Sequence, residues 1–314
     1  MHVLPNTFFV GAPRSGTTTL YTWLAGHPQV YLTPIKEPNF MATDVLSMNF
    51  SPLYRKYNAT SYEKWLELGK PRMQYALVGT PDWYAQLFAG ATKYHKTIGE
   101  FSTNYLFSKT AYKNIHALNP QAKIVIVLRD PVERAYSHYL MNLSLGLTAK
   151  PFLQEVEESL QRPDYAEKHL GFYIRQSTYH SDVKKYFDTF GRENVFVIIF
   201  EEDIVQNPEQ TFERLLKFLG IDALYKPERF KGTNASYAPR WPWLHRFLTQ
   251  SGIKPFLRKI LPVSVRRLYS KLFKRSKKPR LSSQVKQNLY KLYFEDDVKK
   301  LSKLLDKELP WGKY

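Results

Sequence analysis

The chain has no cysteine in its 314 residues, which excludes disulfides, thiolate metal sites and a cysteine nucleophile together. Nothing therefore points to an oxidising compartment. No apolar run approaches the roughly 20 residues that a membrane-spanning helix needs, and neither internal repeats nor low-complexity tracts occur. The sequence also lacks an H-E-x-x-H pair and any carboxylate cluster of EF-hand spacing, so no metal is expected. The short run Glu295-Asp296-Asp297, with Lys299 and Lys300 nearby, reads as a solvated charged face. Acidic residues are scarce, 28 against 46 Lys and Arg, for a net charge of +18. The imbalance is local: residues 240–280 hold 13 Lys and Arg and no Asp or Glu, leaving only +5 for the rest.

What is present suits a large core, with 43% apolar and 15% aromatic residues. Short β-branched runs near 7–11, 30–33, 96–100, 123–128 and 195–200 alternate with helical stretches. That alternation predicts an α/β fold, a mainly parallel P-loop-like sheet flanked by helices. The reading is of one domain over 1–314, with 240–280 a basic, aromatic-rich helical insertion broken by Pro255, Pro262 and Pro279.

Two stretches carry the chemistry. In Phe8-Phe9-Val10-Gly11-Ala12-Pro13-Arg14-Ser15-Gly16-Thr17-Thr18, a buried strand, a tight loop and an opening helix follow one another. Gly11 and Gly16 let the backbone turn and approach a ligand, and the helix's first N–H groups favour an anion. The G-x-x-x-x-G spacing matches a nucleotide-triphosphate loop, yet Thr17 stands where that loop carries Lys, and the cation has moved inside the loop to Arg14. Read alone, such a turn also serves as a plain strand-to-helix connection.

The second stretch is Lys123 to Tyr139, an unbroken apolar strand followed by Arg129-Asp130-Pro131. Asp130 suits a helix N-cap and Pro131 a first helical position, so Arg129 stands where strand passes to helix, the edge on which ligands gather in open α/β sheets. A guanidinium there and the Ser137 hydroxyl two turns on can hold a phosphate together. The plainer alternative pairs Arg129 with Glu133 and leaves Ser137 in solvent.

The pattern Pro13-Arg14-Ser15-Gly16-Thr17-Thr18 resembles the 5′-phosphosulfate loop of sulfotransferases that use 3′-phosphoadenosine 5′-phosphosulfate (PAPS). In that family the Arg and Ser matching Arg129 and Ser137 bind the 3′-phosphate of the nucleotide. The likeness extends over Lys36-Glu37-Pro38-Asn39-Phe40, Gly99 to Tyr105, Asn194 to Asp203 and Lys231-Gly232, covering roughly residues 5 to 235. It implies that Pro13, Arg14, Ser15, Gly16, Thr17, Thr18, Arg129, Ser137, Lys231 and Gly232 bind PAPS, with Lys231 and Gly232 closing over the 3′-phosphate. Glu37 matches the catalytic Glu of heparan-type and tyrosylprotein enzymes and is the expected general base, with Arg14 against the leaving phosphate. Glu100-Phe101 departs from the Glu-Lys pair of several heparan-type enzymes, so no second catalytic cation is expected there. His95 is the His nearest to the position of the cytosolic enzymes' base.

The resemblance implies a sulfotransferase whose acceptor is a carbohydrate or glycolipid hydroxyl or amine. A P-loop kinase, and a non-catalytic membrane-binding protein on the same fold, are the alternatives. The basic aromatic segment 240–280 suits an anionic membrane surface, an acidic glycan or a lid over the site. No nucleic-acid-binding signature accompanies it. With its motifs starting near Met1, the chain reads as a cytoplasmic enzyme, peripheral at the membrane through 240–280.

Overall fold

The computed structural model describes residues 3–58, 60–228, 230, 238–251, 253 and 279–314. Five strands form a parallel sheet in the order β2-β5-β1-β6-β7: β1 (Thr7–Gly11), β2 (Val30–Leu32), β5 (Thr97–Phe101), β6 (Lys123–Leu128) and β7 (Val195–Ile199). Along β6, Ile124, Ile126 and Leu128 enter one core and Val125 and Val127 the other. This two-fold alternation, apolar on both sides, is what a parallel sheet covered on both faces requires. One face carries the helices Pro131–Ser144 and His180–Phe190, the other the helices Thr17–Leu24 and Pro208–Leu219. The expected strands are all present within a residue or two. All five run the same way, so the loops after β1, β5 and β6 meet at one carboxyl edge, with β1 central.

One feature adds to the sequence reading and one departs from it. Residues 35–37 leave the main sheet as β3 (Ile35–Glu37) and pair with β4 (Met73–Tyr75), Glu37 opposite Tyr75. Asp297 is no solvated acid. Its carboxylate accepts the backbone amides of Tyr179 (2.7 Å) and His180 (3.2 Å), satisfying the start of the helix His180–Phe190 from the helix Glu295–Leu305. Burial raises its pKa. Glu295 and Asp296 do pair with Lys299 and Lys300 as exposed i,i+4 neighbours.

Of the basic segment, the helix Pro242–Gln250 is described, docked by His245 Nε2 on Ser144 O (2.9 Å) and by Thr249 against Gly146. Lys231, Gly232 and most of 240–280 lie outside the described residues. No helix among the described residues is long and apolar enough to cross a membrane.

Candidate active site

The loop after β1 is shaped by its glycines. A side chain at Gly16, whose φ is +97°, would put its Cβ 2.7 Å from the Phe200 ring, and one at Gly11 would meet Leu106 Cβ at 2.6 Å. Gly16→Ala is thus expected to cost about 1–3 kcal/mol from overpacking, with backbone strain in addition. Gly69→Ala is the control, since φ is +76° there but an added Cβ meets nothing within 4 Å. Thermal unfolding of the two variants checks this: equal losses would mean that strain, and not Phe200, sets the cost.

Between the glycines, Arg14 adopts a left-handed φ of +68°, a conformation uncommon for non-glycine residues. Its Nε donates to Ser137 Oγ at 3.4 Å and its Nη1 reaches Met141 Sδ at 3.7 Å. Burial lowers the Arg14 pKa, the positive charge of Arg129 lowers it further, and Glu37 opposes both. The Ser15 hydroxyl is fully buried with no hydrogen-bond partner among the described residues. Such an orphan at the mouth of the helix Thr17–Leu24 is costly unless an acceptor is supplied from outside.

Arg129 stands at the carboxyl end of β6. Its Nη1 donates to Arg14 O at 3.1 Å, so the two loops that the sequence separates by 115 residues are joined. The guanidinium lies over the Phe200 ring at 5.0 Å and within 3.8 Å of Glu133 and 4.0 Å of Glu201. The plainer pairing with Glu133 is thus present, but Ser137 is buried in the site and not in solvent. Asp130 caps the helix by accepting from Glu133 N at 2.9 Å. The chain's last residues brace this corner: Tyr314 donates to Asp130 (2.7 Å) and Trp311 to Glu201 (3.0 Å), while Glu201 accepts the Asp130 amide (3.1 Å).

Glu37 faces the same edge from β3. Its Oε2 accepts from Thr103 Oγ1 at 2.7 Å and its Oε1 from Lys36 Nζ at 3.2 Å and Gln74 Nε2 at 3.3 Å. A carboxylate has about four acceptor positions, so three donors fix its orientation and leave capacity for one more. Lys36 also donates to Thr18 Oγ1 at 3.2 Å, linking Glu37 to the first loop. The sequence reading assigned neither Lys36 nor Thr103 a role. The signal for Lys36 was the charge missing at Thr17, which the ammonium supplies from β3 in the second sheet.

The two fallback bases are placed elsewhere. His95 precedes β5, at the opposite edge of the sheet, where its Nδ1 meets the Thr92 amide at 2.9 Å. Glu100 is fully buried, accepting from Tyr84 (2.5 Å) and Ser102 (2.7 Å), and Ser102 in turn accepts the amide of Asn39. Burial pushes its carboxyl up to about 7 from 4.5. The folded state then holds this proton more tightly than the unfolded chain, so stability falls as pH rises from about 4.5 to about 7. Glu100→Gln should flatten that slope in urea unfolding at about pH 5 and about pH 8. A residual slope of the same sign remains from Asp130, raised to about 6 by burial. An unchanged slope would mean that Glu100 is ionised at no such cost.

The model of the Sulfotransferase family matches residues 5–226, which take in both loops and Glu37. The chain belongs to the sulfotransferase family. Mouse carbohydrate sulfotransferase 15 is 25% identical over 299 residues, covering 80% of this chain and 52% of that protein. Human bifunctional heparan sulfate N-deacetylase/N-sulfotransferase 2 is 26% identical over 222 residues, covering 69% of this chain and 22% of that protein. This sulfotransferase chain thus spans about half, or less, of the length of those curated relatives. Among solved structures, a sulfotransferase from Alicyclobacillus acidocaldarius superposes with a TM-score of 0.70 at 25% identity, covering 98% of both chains.

Proposed function

We propose that this chain transfers the sulfuryl group of PAPS to a hydroxyl or amine of a carbohydrate or glycolipid acceptor. The observation that carries the proposal is the joining of the two anion-binding corners: Arg14 reaches Ser137 with its side chain while its carbonyl is held by Arg129. A ligand with phosphates at both ends of a nucleoside fits such a pair, and the orphaned Ser15 hydroxyl fits an acceptor oxygen in the loop. Pro13 to Thr18 would hold the 5′-phosphosulfate, and Arg129 and Ser137 the 3′-phosphate. The family resemblance adds Lys231 and Gly232.

When bound, PAPS supplies the activated sulfuryl group. The chain's own residues do the rest. Glu37, aligned by Thr103, Lys36 and Gln74, accepts the proton that the attacking hydroxyl or amine must lose. Arg14 and Lys36 place two cations where negative charge gathers on the 5′ side, and the helix start adds its partial charge. The sugar acceptor is supported by the names of the relatives, carbohydrate and heparan sulfate sulfotransferases.

A kinase reading is opposed by Thr17 in place of the loop Lys. Transfer of radiolabelled sulfate from PAPS, tested across glycans, glycolipids, peptides and phenols, is the decisive assay. Label on a glycan or glycolipid is expected. Calorimetric binding of ATP in preference to adenosine 3′,5′-bisphosphate, with no transfer to any acceptor, would overturn the reading.

A cytoplasmic setting with peripheral contact at an anionic membrane is part of the same proposal. The membrane contact is supported by the helix Pro242–Gln250, where Trp243 and Phe247 are exposed beside Arg240 and Arg246. Flotation with anionic liposomes at low salt is the expected outcome; protein remaining at the bottom of the gradient rejects the membrane contact.

A further inference from the structure

Arg134 lies in the helix Pro131–Ser144 with its side chain fully buried. Neutral groups surround the guanidinium. Nε donates to Ser177 Oγ (2.6 Å), Nη2 to Tyr173 O (2.7 Å) and Nη1 to Gln176 Oε1 (3.3 Å), with His138 Nδ1 also 3.3 Å from Nη1. No carboxylate lies within ion-pair distance of it among the described residues. Burial lowers its pKa to about 10, which leaves it charged at neutrality, and among its neighbours are the like charges of Arg129 and Arg14. His138 is itself buried, and burial followed by the charge of Arg134 holds its pKa well below the ordinary value, so it stays neutral and provides no counter-charge.

An interior cation without a counter-charge is unfavourable, even when its donors are hydrogen-bonded, and chains seldom keep one. The surroundings indicate what completes it. Arg134 precedes Ser137 by three residues, on the same side of the helix, and Ser137 is the hydroxyl that Arg14 contacts. The charge of Arg129 is partly offset by Glu133 and Glu201, whereas that of Arg134 is not. We propose that Arg134 is the buried counter-charge for the bound nucleotide, acting through the field it sets at Ser137 and Arg129 without touching the ligand. The inference rests on the nucleotide reading above and names a residue that positions and charges the 3′-phosphate corner.

The test is calorimetry of adenosine 3′,5′-bisphosphate, adenosine 5′-phosphate and adenosine with the wild type, Arg134→Lys and Arg134→Gln. Gln keeps donors for Ser177 or the Tyr173 carbonyl and removes the charge; Lys keeps the charge. Arg134→Gln should weaken the bisphosphate about tenfold, the monophosphate less and adenosine not at all, with Arg134→Lys within about threefold of wild type. A purely structural role predicts equal loss for all three ligands, or equal loss with Lys and Gln, and either result overturns the proposal. Should Arg134→Gln fail to fold, Ser177→Ala removes a hydrogen bond and leaves the charge. It must keep bisphosphate affinity within about threefold, and a tenfold loss there would assign the effect to the network. A wild type that binds no bisphosphate overturns the functional reading and this inference with it. A wild type that binds, with Arg134→Gln its equal, overturns this inference alone.

Discussion

Glu37→Gln is expected to lower the turnover of sulfate transfer by about 10²–10⁴ while leaving nucleotide affinity unchanged or slightly improved. The substitution preserves the shape of the side chain and an oxygen for Thr103, which now donates to Glu37 Oε2 at 2.7 Å. What disappears is the negative charge and the ability to take a proton. Because Glu37 is the carboxylate that opposes the combined positive effect on Arg14, removing it leaves Arg14 and Lys36 freer to attract phosphate. Loss of rate without loss of binding is the mark of a group used in the transition state alone. Steady-state transfer and calorimetry with adenosine 3′,5′-bisphosphate read the two quantities separately. Turnover within about threefold of wild type would mean that another group takes the proton. Neither fallback is placed to do so, since Glu100 is sealed beneath Tyr84 and Ser102 and His95 lies at the far edge of the sheet.

The main sheet was legible because its strands are apolar runs buried on both faces, whose shortness and β-branched content separate them from buried helix segments. Both strand-to-helix corners were legible for a similar reason. Each is local, a strand end followed by a capped or glycine-opened helix, and local chemistry is written in consecutive residues. The support of Glu37 was not legible. Ile35-Lys36-Glu37 is three residues long with two charges, too short and too polar to read as a strand, and its partner Met73–Tyr75 lies outside any periodic run. Thr103 after β5, Gln74 in β4 and Thr18 in the first helix converge on Glu37 and Lys36 only in the folded chain. Asp297 illustrates the opposite error. Its two acidic neighbours do face solvent, but one further residue, about 100° of helix rotation, brings Asp297 onto the amides of Tyr179 and His180, and composition carries no record of phase. Likewise nothing in the sequence links Trp311 and Tyr314 to the Arg129 corner, since that contact is made through Glu201 and Asp130 from distant segments.

Arg129→Ala is expected to weaken adenosine 3′,5′-bisphosphate by roughly ten- to a hundred-fold, the value of a charged hydrogen-bond partner, and adenosine 5′-phosphate hardly at all. The structure places the loss toward the upper end of that range. Arg129 lies 3.8 Å from Glu133 and 4.0 Å from Glu201, so its removal leaves two carboxylates without that offsetting charge beside the proposed 3′-phosphate site. Glu133 keeps Lys286 at 2.6 Å, and Glu201 keeps the Asp130 amide and Trp311, neither of them a charge. Adding Glu201→Gln to Arg129→Ala should therefore recover part of the lost affinity, whereas Glu133→Gln should recover less. A second contribution is separable. Arg129 also holds the carbonyl of Arg14 at 3.1 Å, and if that bond were the main role, the 5′-phosphate loop would loosen and both nucleotides would weaken together. Equal losses for the bisphosphate and the monophosphate would accordingly remove Arg129 from the 3′-phosphate site and make it a brace for Arg14. A selective loss, partly restored by Glu201→Gln, identifies it as the group that distinguishes a 3′-phosphorylated nucleotide from an ordinary one.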